Sequence, residues 1–325
     1  MTRYCRPMLH TRSSHRIFAD RFHFLGRLGA SALAIALFVW SEGRALAQDE
    51  IVIPLSDFVP SGEETHFFVP FDVPTGIEEI EVRHRSLNPE NILDWGLEDP
   101  DGFRGWGGGL SEPSIVNAAA ASRSYVPGPI TPGTWRVVVG KALIVEEPAD
   151  YELEVILRRS TTLPAQPERR PYREREPLEV GRRWYAGDFH VHSRESGDAT
   201  PTLDEIAELA LARGLDFVVI TDHNTHTNLD FFADVEERYP ELLFIPGVEF
   251  TTYAGHANAI FATEWVDHRI GVEGATIEKA IAAYRDQGAF FSINHPVYEL
   301  GNMCIGCAWE HQVDPALIDG VEIGS

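Results

Sequence analysis

The chain has 325 residues, 44% of them hydrophobic and 24% charged, which is long enough for two domains with packed cores. Its 50 acidic and 27 basic side chains give a formal net charge of −23. A surface of that sign repels polynucleotides and anionic lipid, so a nuclease of polymeric DNA is set aside and a small-molecule substrate is expected.

Ala30 to Trp40 is an uncharged apolar run behind an arginine-rich segment that includes Arg3, Arg6, Arg12, Arg16, Arg21 and Arg27. Ala45-Leu46-Ala47 then offers a small-x-small cleavage site before Gln48. The pattern predicts a secretory signal peptide over residues 1–47 and a secreted or periplasmic protein. The competing reading is an uncleaved anchor, but the run falls short of the ~20 residues of a spanning helix, so no stable membrane span is expected after cleavage. Cleavage removes seven of the 27 basic and two of the 50 acidic side chains and takes the net charge to near −28.

Residues 50–158 alternate short apolar runs with turn residues. Strands are predicted at 51–55, 66–71, 77–84, 93–97, 135–139 and 151–157, divided by Pro60-Ser61-Gly62, Pro74-Thr75-Gly76, Asp99-Pro100-Asp101-Gly102 and Thr131-Pro132-Gly133. Many short strands with such turns predict an antiparallel β-sandwich, and the 132–155 stretch resembles the last strands of jelly-roll-like domains appended to secreted hydrolases. Gly105-Trp106-Gly107-Gly108-Gly109 reads as a loop. Its Trp106 is either a stacking platform for a ligand such as a sugar or an aromatic buried at the end of the sandwich. Residues 159–183, with Pro164, Pro167, Pro171, Pro177 and several arginines, lose apolar periodicity and predict an extended linker. That linker is either solvated or laid against an acidic domain surface.

From 184 to 325 strands alternate with helical segments. Strands are predicted at 185–192, 215–221, 242–249, 256–261, 290–294 and 320–323, with a short element at 315–318. Helices are predicted at 201–213, capped by Thr200 with a stripe of Leu203, Ile206, Leu209 and Ala210, and at 228–239 and 273–287. The alternation predicts an α/β domain with a parallel sheet, most simply a barrel. His190 and His192, at i and i+2 on a strand, share a face and suit one borderline metal such as zinc; alone they could equally be surface histidines of an edge strand. Further strands end in Thr221-Asp222-His223, Gly247-Val248-Glu249 and Asn294-His295-Pro296, and His256 follows the third. In a β/α barrel those ends share one rim, and buried ionisable groups are costly unless paired or metal-bound, so a metal site is predicted. Cys304-Ile305-Gly306-Cys307 is read as a structural disulfide in an oxidising compartment, with reduced thiols or half a zinc site as alternatives.

Together, His190-x-His192, Thr221-Asp222-His223, Gly247-Val248-Glu249 and Asn294-His295-Pro296 resemble the PHP (polymerase and histidinol phosphatase) superfamily. The stretches Gly187-Asp188-Phe189-His190-Val191-His192 and Gly214-Leu215-Asp216-Phe217 look like its carbaryl-hydrolase-like (CehA/McbA) metallohydrolases. The resemblance covers roughly residues 185–325 and implies a distorted (β/α)7 barrel holding two or three divalent ions, Zn, Mn or Fe. By it, His190, His192 and Glu249 bind a first ion, Glu249 bridges to a second held by His256 and His295, and Asp198 and His223 bind a third. Asp198 stands one place later than in the family's Ser-Asp-Gly. Asp188, Asp222 and Asn294 are then supports of the ligands, with Asp222 or Glu195 a candidate proton acceptor beside Glu249 in the catalytic set. The chain stops where the family has a seventh strand ending in Asp-x-His, so the expectation is an incomplete barrel and a fragment of a longer protein that binds metal weakly and hydrolyses little. The activity implied is hydrolysis of a small ester, carbamate or amide by a metal-bridging hydroxide, with phosphoester hydrolysis as the alternative. A phosphate pocket would need arginines, and the nearby Arg194 and Arg269 are read as surface residues. From another class, a noncatalytic envelope or carbohydrate-binding protein remains open.

Overall fold

Period-two burial organises the first half of the chain. In β8 (Asp150–Arg158), Tyr151, Leu153, Val155 and Leu157 turn inward while Glu152 and Glu154 between them face outward. This strand lies between β1 (Glu50–Phe58) and β3 (Glu79–Ser86), and β6 (Ser114–Asn117) completes a sheet ordered β1-β8-β3-β6. A second sheet runs β2 (His66–Val73), β7 (Gly133–Leu143), β4 (Ile92–Asp99), β5 (Gly102–Gly108). Every pairing in both sheets is antiparallel. Ile80, Val82 and Val155 from one sheet meet Leu97, Trp135 and Val137 from the other in a single apolar core. This computed structural model describes residues 49–176 and 182–323. The expected signal peptide, with its cleavage site at Ala47, lies outside the described residues, as does Pro177.

Two strands, β5 and β6, stand where no strand is predicted. The glycines of the 102–109 run make room for large rings rather than for a loop. A Cβ on Gly96 would sit 2.6 Å from Trp106 Cε3, and one on Gly105 would sit 2.6 Å from Tyr125 Cα. Trp106 is only 5% exposed and packs 4.6 Å, centroid to centroid, from His268, so it offers no open stacking platform. The alanine run after Asn117 forms no helix, because the Asn117 side chain accepts the amides of Ala119 and Ala120 and closes a turn.

The second half builds a curled six-stranded sheet ordered β14-β13-β12-β11-β10-β9. Its strands are β9 (Gly187–Val191), β10 (Phe217–Ile220), β11 (Leu243–Thr252), β12 (Gly255–Ile260), β13 (Phe290–Ile293) and β14 (Gly320–Val321). The first three are parallel, but β11–β12 and β12–β13 are antiparallel, against the expected all-parallel sheet. The chain between Thr252 and Gly255 is a tight turn, too short for the crossover a parallel pair needs.

Helix α1 (Leu203–Ala212) begins two residues later than the Thr200 cap implies. Thr202 and Glu205 form a reciprocal capping box, with Thr202 Oγ1 accepting from the Glu205 amide and Glu205 Oε2 accepting from the Thr202 amide. It buries Leu203, Ile206, Ala207 and Ala210, while Leu209, expected in the stripe, is 60% exposed. A 3-10 turn, Thr227–Phe231, leads into α2 (Phe232–Arg238), and α3 (Ile277–Asp286) is capped by Thr276. Helices α1 and α2 pack with Val218, Ile220 and Phe244, and α3 packs with Phe250 and Phe291. No helix among the described residues is long and apolar enough to cross a membrane.

The two halves form one body. The described part of the linker is strapped down rather than solvated. Glu79 accepts from Thr162 and Leu163, Arg169 pairs with Asp230 at 2.9 Å, and Arg175 donates to the Leu242 carbonyl.

Candidate metal centre

Glu249 sits within β11 with no solvent exposure, because β10 and β12 flank it and Asn294 lies beside it. Its two oxygens sort the surrounding imidazoles. Oε2 lies 2.9 Å from His192 Nε2, 3.1 Å from His223 Nδ1 and 3.3 Å from His190 Nε2. Oε1 lies 3.4 Å from both His256 Nδ1 and His295 Nε2, and it accepts from Asn294 Nδ2 at 2.8 Å. His190 and His192 bring their Nε2 atoms within 3.2 Å of each other, as i and i+2 on β9 dictate.

Asp198, more exposed, lies 3.0 Å from His192 Nδ1 and 3.5 Å from His223 Nε2. Glu249 and its five imidazoles therefore converge with Asp198. His190, His192 and Glu249 group as the resemblance implies, while His192 also joins Asp198 and His223, His223 also joins Glu249 and His256, and His295 groups with His190 and Glu322. Glu322, which no motif marked, lies 3.3 Å from His190 Nδ1 and accepts the His295 amide at 3.0 Å. Thr251, on the same β11 face as Glu249, bonds His223 Nδ1. The alternation of β11 could have pointed to Thr251; nothing local pointed to Glu322.

The supports differ in reach. Asp188 Oδ1 accepts the His190 amide at 3.1 Å. Asn294 ties Glu249 to Asn258. Asp222 is fully buried, with Oδ1 taken by the Ser193 amide and Oδ2 by Ser193 Oγ and Asn228 Nδ2. It anchors the loop that carries Asp198 rather than facing the rim. Glu195 is likewise buried, accepting from the Ser124 amide and Thr227 Oγ1. Arg194 is exposed as expected, but Arg269 is buried and held by Glu98 and Asp267, a correction to its reading as a surface residue. His295 carries a φ of +28°, a left-handed backbone that non-glycine residues rarely adopt and that tends to mark functional positions.

Charges in the cluster answer one another. Burial pushes the Glu249 carboxyl up, yet the His223 charge and the closeness of His190, His192 and His256 outweigh it and hold it well below the usual range. Burial lowers the His192 imidazole, but Asp198 and Glu249 overcome this and raise it well above 6.5. Glu249 likewise raises His190 and His295 against their burial, whereas in His256 burial wins and the value falls. Burial pushes Asp222 up to about 6 against its donors.

These residues fit a divalent cation. Glu249 Oε2 and His256 Nδ1 are buried and have no hydrogen-bond partner, a state that costs free energy unless something else accepts their lone pairs. Ligands ~2.1 Å from one tetrahedral ion stand ~3.4 Å apart, the scale of the separations around Glu249. Metal uptake must displace the protons that Glu249 and Asp198 hold on the raised imidazoles His190, His192 and His295. Apparent affinity for Mn2+ is therefore expected to rise with pH through neutrality and level off above those raised values. Calorimetric titrations in buffers of different ionisation enthalpy should show net proton release on binding; uptake without proton release would contradict the assignment.

Residues 188–290 match the family model described as PHP domain. No curated protein sequence matches the chain. Among solved structures the chain is similar to a Bifidobacterium adolescentis protein described as a metal-dependent phosphoesterase, at 16% identity and a TM-score of 0.30, covering 42% of this chain and 77% of that one. It is also similar to PliG, a periplasmic inhibitor of g-type lysozyme from Salmonella Typhimurium, at 14% identity and a TM-score of 0.18, covering 34% and 90%.

Proposed function

We propose that the chain is a metal-dependent hydrolase of a small ester, carbamate or amide, of the carbaryl-hydrolase-like kind. The observation that carries this is a fully buried carboxylate, Glu249, shared by five imidazoles with lone pairs left unmatched. Two or three divalent ions bound there would supply Lewis acidity and make a bound water acidic near neutral pH. In this chain His190, His192, His223, His256 and His295 would hold them together with Glu249, and Asp198 stands at the open side. Asp222 and Asn294 keep the ligand loops in place through the bonds described above.

A cleft of 590 Å3 lined by Phe189, Phe261, Phe290 and Val321 opens between the sheet's edge strands β9 and β14 and reaches His190 and Glu322. A seventh strand of the barrel would lie along it, so the substrate class rests on the likeness of the 187–192 and 214–217 stretches. We read the two antiparallel sheets as a β-sandwich, the curled sheet as part of a distorted (β/α)7 barrel, and the protein as exported behind residues 1–47. N-terminal sequencing of the mature protein should begin near Gln48. Turnover of 1-naphthyl N-methylcarbamate or naphthyl acetate by the metal-loaded protein, above that of p-nitrophenyl phosphate, is the expected result. Preference for the phosphate ester would favour phosphoesterase instead, and metal-loaded protein with no turnover of any of them would favour a noncatalytic binding role.

A further inference from the structure

Past β13 the chain reaches Cys304-Ile305-Gly306-Cys307, and Cys304 and Cys307 are joined as a disulfide. This short loop sits behind two of the histidines. His256 Nε2 lies 3.1 Å from the Ile305 carbonyl oxygen, and His295 Nδ1 lies 3.4 Å from that of Cys307. A carbonyl oxygen only accepts, so each contact asks the ring nitrogen to carry the proton. The lone pairs are then left on His256 Nδ1 and His295 Nε2, and these are the atoms that face Glu249 Oε1. One loop thus presents two carbonyls to opposite nitrogens of two rings, and both rings end up with a lone pair toward the same oxygen.

The loop itself is fixed on two sides. Gly306, at φ +78°, seats against the β11–β12 turn so closely that a Cβ there would lie 2.9 Å from the Tyr253 carbonyl carbon. Farther along, the Glu310 amide donates to the Ala254 carbonyl and His311 Nε2 lies 2.7 Å from Thr252 Oγ1, so the following segment is bound to the same turn. The disulfide spans only the two residues between its cysteines, which keeps the Ile305 and Cys307 carbonyls from swinging apart.

We propose that this disulfide-closed loop is the positioning device for one half of the metal centre: its Ile305 and Cys307 carbonyls set the tautomer and aim of His256 and His295, and so the affinity of the ion held at Glu249 Oε1. The proposal rests on the metal-centre reading of the preceding subsection. It assigns Cys304 and Cys307 a role that reaches the ligands, beyond tying the chain.

The first test uses the unaltered protein. In 15N-histidine-labelled protein loaded with diamagnetic Zn2+, long-range 1H–15N spectra should show His256 protonated at Nε2 and His295 at Nδ1. The opposite tautomer at either ring overturns the proposal. The second test compares Mn2+ titrations of the unaltered protein and of Cys304→Ser/Cys307→Ser, which removes the bond without leaving thiols to bind metal themselves. Loss of an outer support of a ligand costs roughly 10–100-fold in metal affinity. One ion is expected to loosen by that factor while the other stays within about twofold. If both affinities are unchanged in a variant with unaltered circular dichroism, the proposal falls and the metal centre stands. If the unaltered protein takes up no Mn2+, both fall. Should the serine variant fail to fold, the tautomer measurement still decides.

Discussion

Glu249→Gln should leave a folded protein that has lost its tightly bound metal and its hydrolytic activity. Glutamine keeps the volume, and its amide oxygen can still accept from Asn294 Nδ2, so β11 and its neighbours have little reason to rearrange. What disappears is the only charge shared by five imidazoles. Loss of an outer support of a ligand costs roughly 10–100-fold in metal affinity, so loss of the shared carboxylate itself should cost more than about 100-fold. A second signature follows from the same charge. Glu249 raises His190, His192 and His295, so in the variant their titration should move down toward ordinary imidazole values. Elemental analysis for bound metal, turnover of the naphthyl substrates and an NMR titration of the histidines check the three parts. Full metal content with unaltered turnover would remove Glu249 from the centre and leave the enzyme assignment without its main support.

The convergence on Glu249 was legible in the sequence because each contributing strand announces itself as an apolar run and stops at a polar residue. His190, His192, His223 and Glu249 all stand at or beside such a stop, and strand periodicity already puts His190 and His192 on one face. Strand direction was not legible. The apolar runs of β11, β12 and β13 look alike whichever way they pair, and only the shortness of the Thr252–Gly255 turn, with glycine at its end, separates a hairpin from a crossover. Glu322 was hidden for a different reason: it follows a two-residue strand, too short to show a pattern, and reaches His190 across 132 positions. Trp106 and its glycines read as a loop because composition alone cannot tell glycine used for a turn from glycine used to let an aromatic ring lie flat on a neighbouring strand. The pairing of Arg269 was equally out of reach, since its partner Glu98 lies 171 positions away, in the other half of the chain.

That pair is the site of the largest stability effect expected. Arg269 is buried, with Nη1 2.6 Å from Glu98 Oε1 in β4 and its Nε and Nη2 on the two oxygens of Asp267 at 2.7 and 3.0 Å. Its guanidinium also lies over the Phe68 ring at 5.1 Å. Arg269→Ala strands two carboxylates and opens space between β4 and the segment ahead of α3, one of the contacts that join the halves. Breaking a buried ion pair from one side costs about 3–5 kcal/mol. The lower end applies here, because Arg136 remains 2.5 Å from the other Glu98 oxygen and keeps that charge partly answered. Combining Arg269→Met with Glu98→Gln removes the unmatched charge along with its partner and should recover most of the loss. Urea unfolding gives the stabilities, and Mn2+ titration supplies the contrast, since Arg269 makes no contact with Glu249 or its imidazoles and metal affinity should hold. A single-variant loss under about 1 kcal/mol would mean that the packing of Phe103 on Trp265, rings stacked 4.2 Å apart, carries the joint and the ion pair is incidental.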